Sequence, residues 1–271
     1  FRTNFADSEH IFIPRVYLEF SSDRVLTMDW VDGVRIDKLD EYAARRCDPN
    51  TIAATLCETI CKMVYEHRLF HADPHPGNIF ILENNRIAFL DLGMAGHLER
   101  ADVAAIADLF IALFSEDSAE CVNAMLNLTA KGEPEDRAGL EHEVAGLIAF
   151  EARAIIGGGQ VAKGIERSIE ILRRYNLQLA PRFALLLKAL CTGEVVGRSL
   201  DPKLDFVTII QPYVEKLLRA RYHPRQILQD VRDDTLALLK LGRQLPDDVM
   251  SLLKQLRAGK FKFQVHHEHL E

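Results

Sequence analysis

The chain has 271 residues, of which 48% are hydrophobic and 27% are charged, and its formal net charge is −7 at pH 7. This composition is typical of a soluble globular protein with a large core, and the length allows one or two domains. The acidic balance gives no support for nucleic-acid binding and disfavours a polybasic membrane patch. The five cysteines are odd in number and scattered, so they indicate a reducing compartment rather than a disulfide framework.

The first 46 residues predict two strands and a short helix. Residues 17–20 and 24–30 have strand-like patterns and are joined by the polar turn sequence Ser21-Ser22-Asp23. Residues 36–46, which follow Gly33, predict a short helix.

Residues 50–69 predict an amphipathic helix that leads into a loop. Asp48 is a suitable N-cap, and Pro49 suits the first helical position. The apolar stripe of this helix consists of Ile52, Leu56, Ile60, Met63 and Val64. The proline- and glycine-rich residues 71–78 cannot continue a regular helix, so they predict a loop.

A β-hairpin is predicted next, followed by a helical region. Two apolar segments, 79–82 and 86–90, flank Glu83-Asn84-Asn85, which favours a tight turn. Beyond residue 98 the pattern is mostly helical, and prolines separate the segments. The predicted helices lie near residues 99–116, 118–130, 136–156, 160–175, 181–198, 204–220, 223–243 and 246–258, with a short strand at 260–265.

Three polar residues occur at spacings that phosphoryl-transfer enzymes use. Asp73 is followed five residues later by Asn78, and Asp91 lies thirteen residues beyond Asn78. Phosphoryl transfer needs a carboxylate near the attacking hydroxyl and oxygen ligands that hold Mg²⁺ on the phosphates. Protein kinases supply these groups from H-R-D-x-x-x-x-N and D-F-G, and this chain has H-A-D-x-x-x-x-N and D-L-G. The alternative interpretation is a buried polar turn in which both aspartates cap helices.

The residues around this motif are similar to a known family. The sequences H-A-D-P-H-P-G-N-I-F and L-D-L-G-M-A-G resemble the UbiB/ADCK family of atypical, protein-kinase-like kinases. Weaker matches to the hinge and the C-terminal helices of the family lie at residues 13–17, 25–29, 181–186 and 194–198. The resemblance therefore covers nearly the whole chain.

The resemblance implies an α+β, mostly helical fold with a protein-kinase-like C-lobe. Residues 1–33 would be the remnant of a kinase N-lobe with its hinge, and residues 34–271 the C-lobe with a family-type helical C-terminal extension. Neither a phosphate-covering loop nor an N-lobe lysine fits before residue 25. We therefore expect the intact protein to be the enzyme, and these residues alone to be an incomplete and inactive hinge-plus-C-lobe fragment.

The spacing and the resemblance together imply the catalytic roles. Asp73 would be the catalytic base or the carboxylate that orients the substrate, and Asn78 and Asp91 would bind Mg²⁺, which prefers hard oxygen ligands. His71 and Leu92 would belong to the buried structural spine of the lobe.

The resemblance also implies where the cofactor ATP binds. Met28 would be the gatekeeper, and the backbone of Asp29 and Val31 would face adenine. Phe80 would form an apolar floor under the base, and His75 would contact a γ-phosphate oxygen. Core packing is the alternative role for Met28 and Phe80, and packing against the loop is the alternative for His75.

Departures from the protein-kinase pattern bear on the substrate. Ala72 replaces the arginine that pairs with a phosphorylated activation loop, and no Ala-Pro-Glu sequence follows Asp91. These features favour an ATPase, or a small-molecule or lipid-directed kinase, over a regulated protein kinase.

Family membership implies an Mg²⁺- and ATP-dependent atypical kinase or ATPase that supports isoprenoid-quinone (ubiquinone-like) biosynthesis or lipid homeostasis. The expected partners are a nucleotide, a lipid or quinone precursor, and quinone-biosynthesis proteins. We expect a cytoplasmic protein that is peripheral to, or anchored in, a membrane through segments outside this chain. Two alternatives stay open: a small-molecule phosphotransferase of the aminoglycoside/choline kinase type, and a pseudokinase scaffold that binds a lipid or partner protein.

Overall fold

The computed structural model of the protein describes residues 1–42, 45–131, 133–152 and 160–221. Residues Phe1–Leu218 form one compact unit, and a second unit comprises Arg219–Glu271. The helices predicted at 223–243 and 246–258 and the strand at 260–265 lie outside the described residues. The domain boundary predicted at residue 33 stays a prediction.

The described residues contain eight short strands in three small sheets. One sheet has the order β1-β5-β4-β2, with β1 parallel to β5 and the other pairs antiparallel. The remaining strands form two antiparallel pairs, β3 with β6 and β7 with β8. The bounds are β1 Ile11–Phe12, β2 Val34–Arg35, β3 Leu69–His71, β4 Ile79–Leu82, β5 Arg86–Phe89, β6 Ala95–His97, β7 Thr129–Lys131 and β8 Gln178–Leu179.

Seven α-helices complete the part of the chain that the structure describes. Residues 153–156 of the helix predicted over 136–156 lie outside the described residues. The helices predicted between residues 50 and 220 are otherwise confirmed, although those over 50–69 and 136–156 end as π-helical turns at Lys62–His67 and Ile148–Ala152. Their bounds are α1 Pro49–Cys61, α2 Arg100–Phe114, α3 Ser118–Asn127, α4 Arg137–Leu147, α5 Val161–Arg174, α6 Pro181–Leu200 and α7 Phe206–Arg221. No helix among these residues has the length and apolar composition that crossing a membrane requires.

The two strands predicted at 17–20 and 24–30 are wrong. Leu18–Phe20 form a 3-10 turn, and the pairing in this region is limited to isolated bridges such as that between Val16 and Met28. The apolar residues that suggested strands are largely exposed, including Trp30 at 89%. An apolar pattern predicts a strand only where a second layer covers it, and no described element covers this segment. The helix predicted over 36–46 is also wrong, since its described part holds a 3-10 turn at Leu39–Glu41.

Helix α1 begins as its sequence predicts and ends earlier than predicted, at Cys61. The Asp48 side chain accepts a hydrogen bond from the Thr51 N–H at 3.0 Å, and Pro49 occupies the first turn. The predicted apolar stripe is buried against the core, with exposures of 0 to 3%. After α1 the chain continues as a π-helical turn, Lys62–His67, and stops at Arg68, whose φ is 54°. That left-handed residue turns the chain into β3 and the loop that follows it.

Helix α6 packs closely along α1 because Gly193 and Gly197 face side chains of α1 or its neighbours, Gly193 facing Ile60. A Cβ atom on Gly197 would lie 2.6 Å from Leu204 Cδ2 and 2.9 Å from Cys57 Sγ. On the adjacent turn, the buried Glu194 carboxylate accepts hydrogen bonds from the backbone N–H groups of Val161 and Ala162 at the start of α5. These contacts fix α6 against both α1 and α5.

Replacing Gly197 with alanine should therefore destabilise the protein. Overpacking a well-filled core costs about 1–3 kcal/mol, and we expect a loss of that size in the free energy of unfolding. Denaturant or thermal unfolding of the wild-type and variant proteins measures it.

Gly146, in α4, is the matched control because a Cβ atom there would meet nothing within 4 Å. Gly146→Ala should stabilise the protein by about 0.5–1 kcal/mol, since alanine has the higher helix propensity. If Gly197→Ala raised the free energy of unfolding as much as Gly146→Ala, the close packing of α6 would be contradicted.

Candidate nucleotide and magnesium site

The loop that carries the motif is held at both ends by β-structure. It leaves β3, which pairs with β6, and it enters β4 through a 3-10 turn at Pro76–Asn78. Inside the loop, the His75 N–H donates to Asp73 O at 2.7 Å, and the Asn78 N–H donates to His75 O at 2.9 Å. The Ala72 N–H donates to Met94 O at 3.0 Å, which ties the loop to the segment after Asp91. The backbone thus fixes the place from which each polar side chain projects.

The predicted β-hairpin brings Asn78 and Asp91 together. Strands β4 and β5 pair with Ile79 opposite Phe89, and the Leu90 N–H donates to Asn78 O at 3.0 Å. Asp91 directly follows Leu90, so its backbone lies next to that of Asn78. The turn closes through Asn84 at a φ of 60° and Asn85 at 59°, a left-handed conformation that asparagine tolerates better than most residues.

The side-chain oxygens of this pair suit a hard cation. Among the described residues, the Asn78 amide has no hydrogen-bond partner, while one oxygen of the exposed Asp91 accepts from the Gly93 N–H at 3.0 Å. No cluster of three or more His, Cys, Asp or Glu that could hold a metal occurs in the described part of the chain. Mg²⁺ commonly binds one or two protein oxygens and takes its other ligands from water and phosphate. The two available oxygens therefore fit Mg²⁺.

Asp73 forms an ion pair that the local sequence does not predict. Its Oδ1 lies 2.9 Å from the Nζ of Lys188, and the two side chains are 37% and 49% exposed. The hydrogen bond from Lys188 is the main reason why the pKa of the Asp73 carboxyl lies below its usual value. A signal was present, because Lys188 is the only charged residue between Arg182 and Glu194 in an otherwise apolar stretch of α6.

The two histidines of the motif occupy different environments. His71 is buried, with its ring edge-on to Phe89 at a centroid distance of 6.0 Å, and burial lowers its pKa. Its Nδ1 lies 3.4 Å from both Met94 O and the Asp73 N–H, and either tautomer serves only one of them. The spine role expected for His71 stays a prediction. His75 is exposed, and its Nδ1 accepts a hydrogen bond from the Gly77 N–H at 3.1 Å.

Phe80 lies on the face of β4 that turns away from the main core. Burial alternates along the strand, so Ile79 and Ile81 are buried and Phe80 is half-buried. Arg35 of β2 pairs with Phe80, and a Cβ atom on Gly33 would approach Ile81 O to 3.0 Å. The end of the predicted hinge therefore lies directly beside Phe80.

The backbone of the predicted hinge offers hydrogen-bonding groups to a ligand. The Asp29 N–H donates to Arg15 O at 2.9 Å, so only the carbonyl of this residue is available for adenine. The backbone groups of Val31 have no partner among the described residues. Met28 is half-buried beside its bridge partner Val16. Leu92, on the other side of the site, is half-buried and packs against the core.

Helix α1, the loop with the motif, the β4–β5 hairpin and Asp91 follow one another in the order of a protein-kinase-like C-lobe. Comparison with known sequences agrees with this class. Residues 1–125 match the sequence model of the ABC1 atypical kinase-like domain, and residues 160–205 match that of the UbiB helical domain. The chain therefore belongs to the UbiB/ABC1 family of atypical, kinase-like proteins.

Individual relatives extend this similarity along the chain. The Probable protein kinase UbiB of Xanthomonas campestris is 30% identical over 95% of this chain and 47% of its own length. The chloroplastic Activity of bc1 complex kinase 7 of Arabidopsis thaliana is 27% identical over 98% of this chain and 39% of its own length. The chain spans about half the length of the UbiB relatives it matches.

One solved structure, a Mycobacterium tuberculosis protein in complex with erythromycin, is 15% identical and has a TM-score of 0.49 over 74% of this chain and 51% of its own.

The ion pair predicts how Asp73 titrates. Lys188→Met removes the hydrogen bond that lowers the pKa of Asp73, so this pKa should rise towards its ordinary value. His71 and His75 also lower the pKa of Asp73, and both are unchanged in Lys188→Met. The variant should therefore keep a smaller lowering of this pKa. A pH titration of the Asp73 carboxyl carbon by nuclear magnetic resonance measures the change.

Lys216 provides the control, since its Nζ lies 2.8 Å from Glu66 Oε1 in a similar exposed pair elsewhere. Lys216→Met should leave the pKa of Asp73 unchanged. An unchanged pKa in the Lys188→Met protein would show that the Asp73–Lys188 pair does not form in solution.

Proposed function

We propose that the protein is an atypical kinase or ATPase that acts on Mg²⁺-bound ATP. The observation that carries this proposal is the hairpin register that sets Asn78 beside Asp91, with Asp73 on the loop leading into it. Phosphoryl transfer depends on positioning and electrostatic stabilisation, and these three side chains supply the groups it needs. Asn78 and Asp91 would hold Mg²⁺, which would neutralise charge on the phosphates.

Asp73 has the protonation state that its proposed role requires. Its lowered pKa keeps the carboxylate ionised at neutral pH, so it can accept a hydrogen bond from the attacking hydroxyl and take its proton, although the same shift makes it a weaker base. The attacking hydroxyl or water oxygen forms a bond to the γ-phosphorus, the bond from that phosphorus to the bridging oxygen of ADP breaks, and the proton passes to Asp73. The products are ADP and a phosphorylated acceptor, or inorganic phosphate where water attacks.

The acceptor is proposed to be a small molecule, a lipid or water rather than a protein. Strand β6 begins at Ala95 and α2 at Arg100, so the segment after Asp91 is short, and pairing with β3 holds part of it. A peptide substrate has little activation segment on which to dock. The family resemblance extends the proposal to isoprenoid-quinone biosynthesis or lipid homeostasis, with a lipid or quinone precursor as partner. The family resemblance also supports the proposal that the protein lies at the cytoplasmic side of a membrane, as a peripheral protein.

Two substitutions in the full-length protein should separate metal binding from catalysis. Asp91→Asn removes a carboxylate ligand, so the Mg²⁺-dependent part of ATP binding should be lost, and turnover with it. Asp73→Asn removes the base, so turnover should fall about 10²–10⁴-fold while ATP affinity changes only a few-fold. Calorimetry with and without Mg²⁺ and a phosphate-release assay measure the two effects.

Asp117→Asn, at the N-cap of α3, is a control for loss of a carboxylate remote from the motif. Normal Mg²⁺-dependent turnover in a folded Asp91→Asn protein would refute the metal site. If the wild-type protein binds Mg²⁺-bound ATP tightly but does not turn it over with any acceptor that is supplied, the result would favour the pseudokinase scaffold.

A further inference from the structure

Lys188 is placed at the motif by a distant part of the sequence. It lies in the region that matches the UbiB helical domain, whereas Asp73 lies in the region that matches the kinase-like domain. The Nζ–Oδ1 distance of 2.9 Å makes this contact a charge-assisted hydrogen bond. The ammonium group has three donors, and Asp73 uses one of them, so donors remain for a second anionic partner.

Stability does not account for this pair. Both side chains are more than a third exposed, and ion pairs between exposed groups contribute little to folding. A lysine in the middle of an apolar stretch, on a helix packed into the core, therefore calls for another explanation.

The helix that carries Lys188 is firmly positioned. Leu186 and Ala189, on either side of Lys188, are buried at 2% and 0% exposure, and α6 packs against α1, β3 and β6. Further along the helix, Glu194 caps α5 and Gly197 fits against Cys57. The lysine therefore projects towards the loop from a fixed backbone.

The loop itself lacks a fixed cation at the corresponding place. His75 follows Asp73 by two residues, but its Nδ1 accepts a hydrogen bond from the Gly77 N–H. That nitrogen is therefore an acceptor in this arrangement and not a donor. A phosphoryl group delivered to Asp73 still needs positive charge beside it, because charge is spread over its oxygens during transfer.

We propose that Lys188 is a catalytic residue of this site whose ammonium group contacts the γ-phosphate of ATP while it also holds Asp73. This inference rests on the proposed function. In the protein without nucleotide, the Asp73 carboxylate is the partner of the ammonium group. When ATP is bound, the remaining donors bind γ-phosphate oxygens, and the helical region thereby completes the phosphate site.

The test compares nucleotides that differ by the γ-phosphate. Binding of Mg²⁺-bound ATP and ADP to the full-length protein is measured by calorimetry for wild type, Lys188→Met, Lys188→Arg and the control Lys216→Met. Lys188→Met should lower the affinity for ATP relative to ADP by about ten- to a hundredfold, because one charged hydrogen bond to the γ-phosphate is lost. Turnover should fall about 10²–10³-fold. Lys188→Arg should restore much of the ATP-to-ADP ratio, and Lys216→Met should match wild type.

Three results would overturn the inference alone. An ATP-to-ADP ratio and a turnover that both match wild type in Lys188→Met would make the pair a surface ion pair. A lower turnover with an unchanged ratio would mean that Lys188 acts only through Asp73. A higher turnover would mean that Lys188 restrains Asp73. A wild-type protein that binds no Mg²⁺-bound nucleotide would instead remove the proposed function, and this inference with it. Thermal unfolding of each variant verifies that it is folded.

Discussion

The register of the β4–β5 hairpin is the constraint on which the candidate site depends. Pairing of Ile79 with Phe89 continues to the bond from the Leu90 N–H to Asn78 O, and this brings the two proposed metal ligands to one end of the hairpin. A shift of one residue would turn every side chain of a strand to the opposite face. In β4, Ile79 and Ile81 would then leave the core, so burial of these residues also maintains the geometry of the site.

A second constraint comes from the close packing of α6 on α1. Helix α1 and the π-helical turn after it lead through Arg68 into β3 and the loop with the motif, and Lys188 of α6 contacts Asp73 of the same loop. Close approach at Gly197 and the buried carboxylate of Glu194 set the position of α6. The segments that match the two family models therefore meet in one compact unit, with an ion pair at Asp73.

Local sequence predicted the elements whose determinants are local. The Asp48 cap, the apolar stripe of α1 and the turn at Asn84 are encoded within a few residues, and the structure confirms them. The contact of Lys188 with Asp73 was missed because it depends on helix packing between segments far apart in the chain. The strands predicted before residue 30 failed for the opposite reason, since an apolar pattern such as that around Trp30 forms a strand only with a covering layer.

The most direct measurement of the central claim is a crystal structure of the full-length protein with Mn²⁺ and a non-hydrolysable ATP analogue. Anomalous scattering from Mn²⁺, a substitute for Mg²⁺, locates the metal independently of the protein. The account predicts direct coordination by a side-chain oxygen of Asn78 and of Asp91, with the γ-phosphate facing Asp73. A metal–nucleotide complex bound elsewhere, or one that Asn78 and Asp91 do not touch, would contradict it.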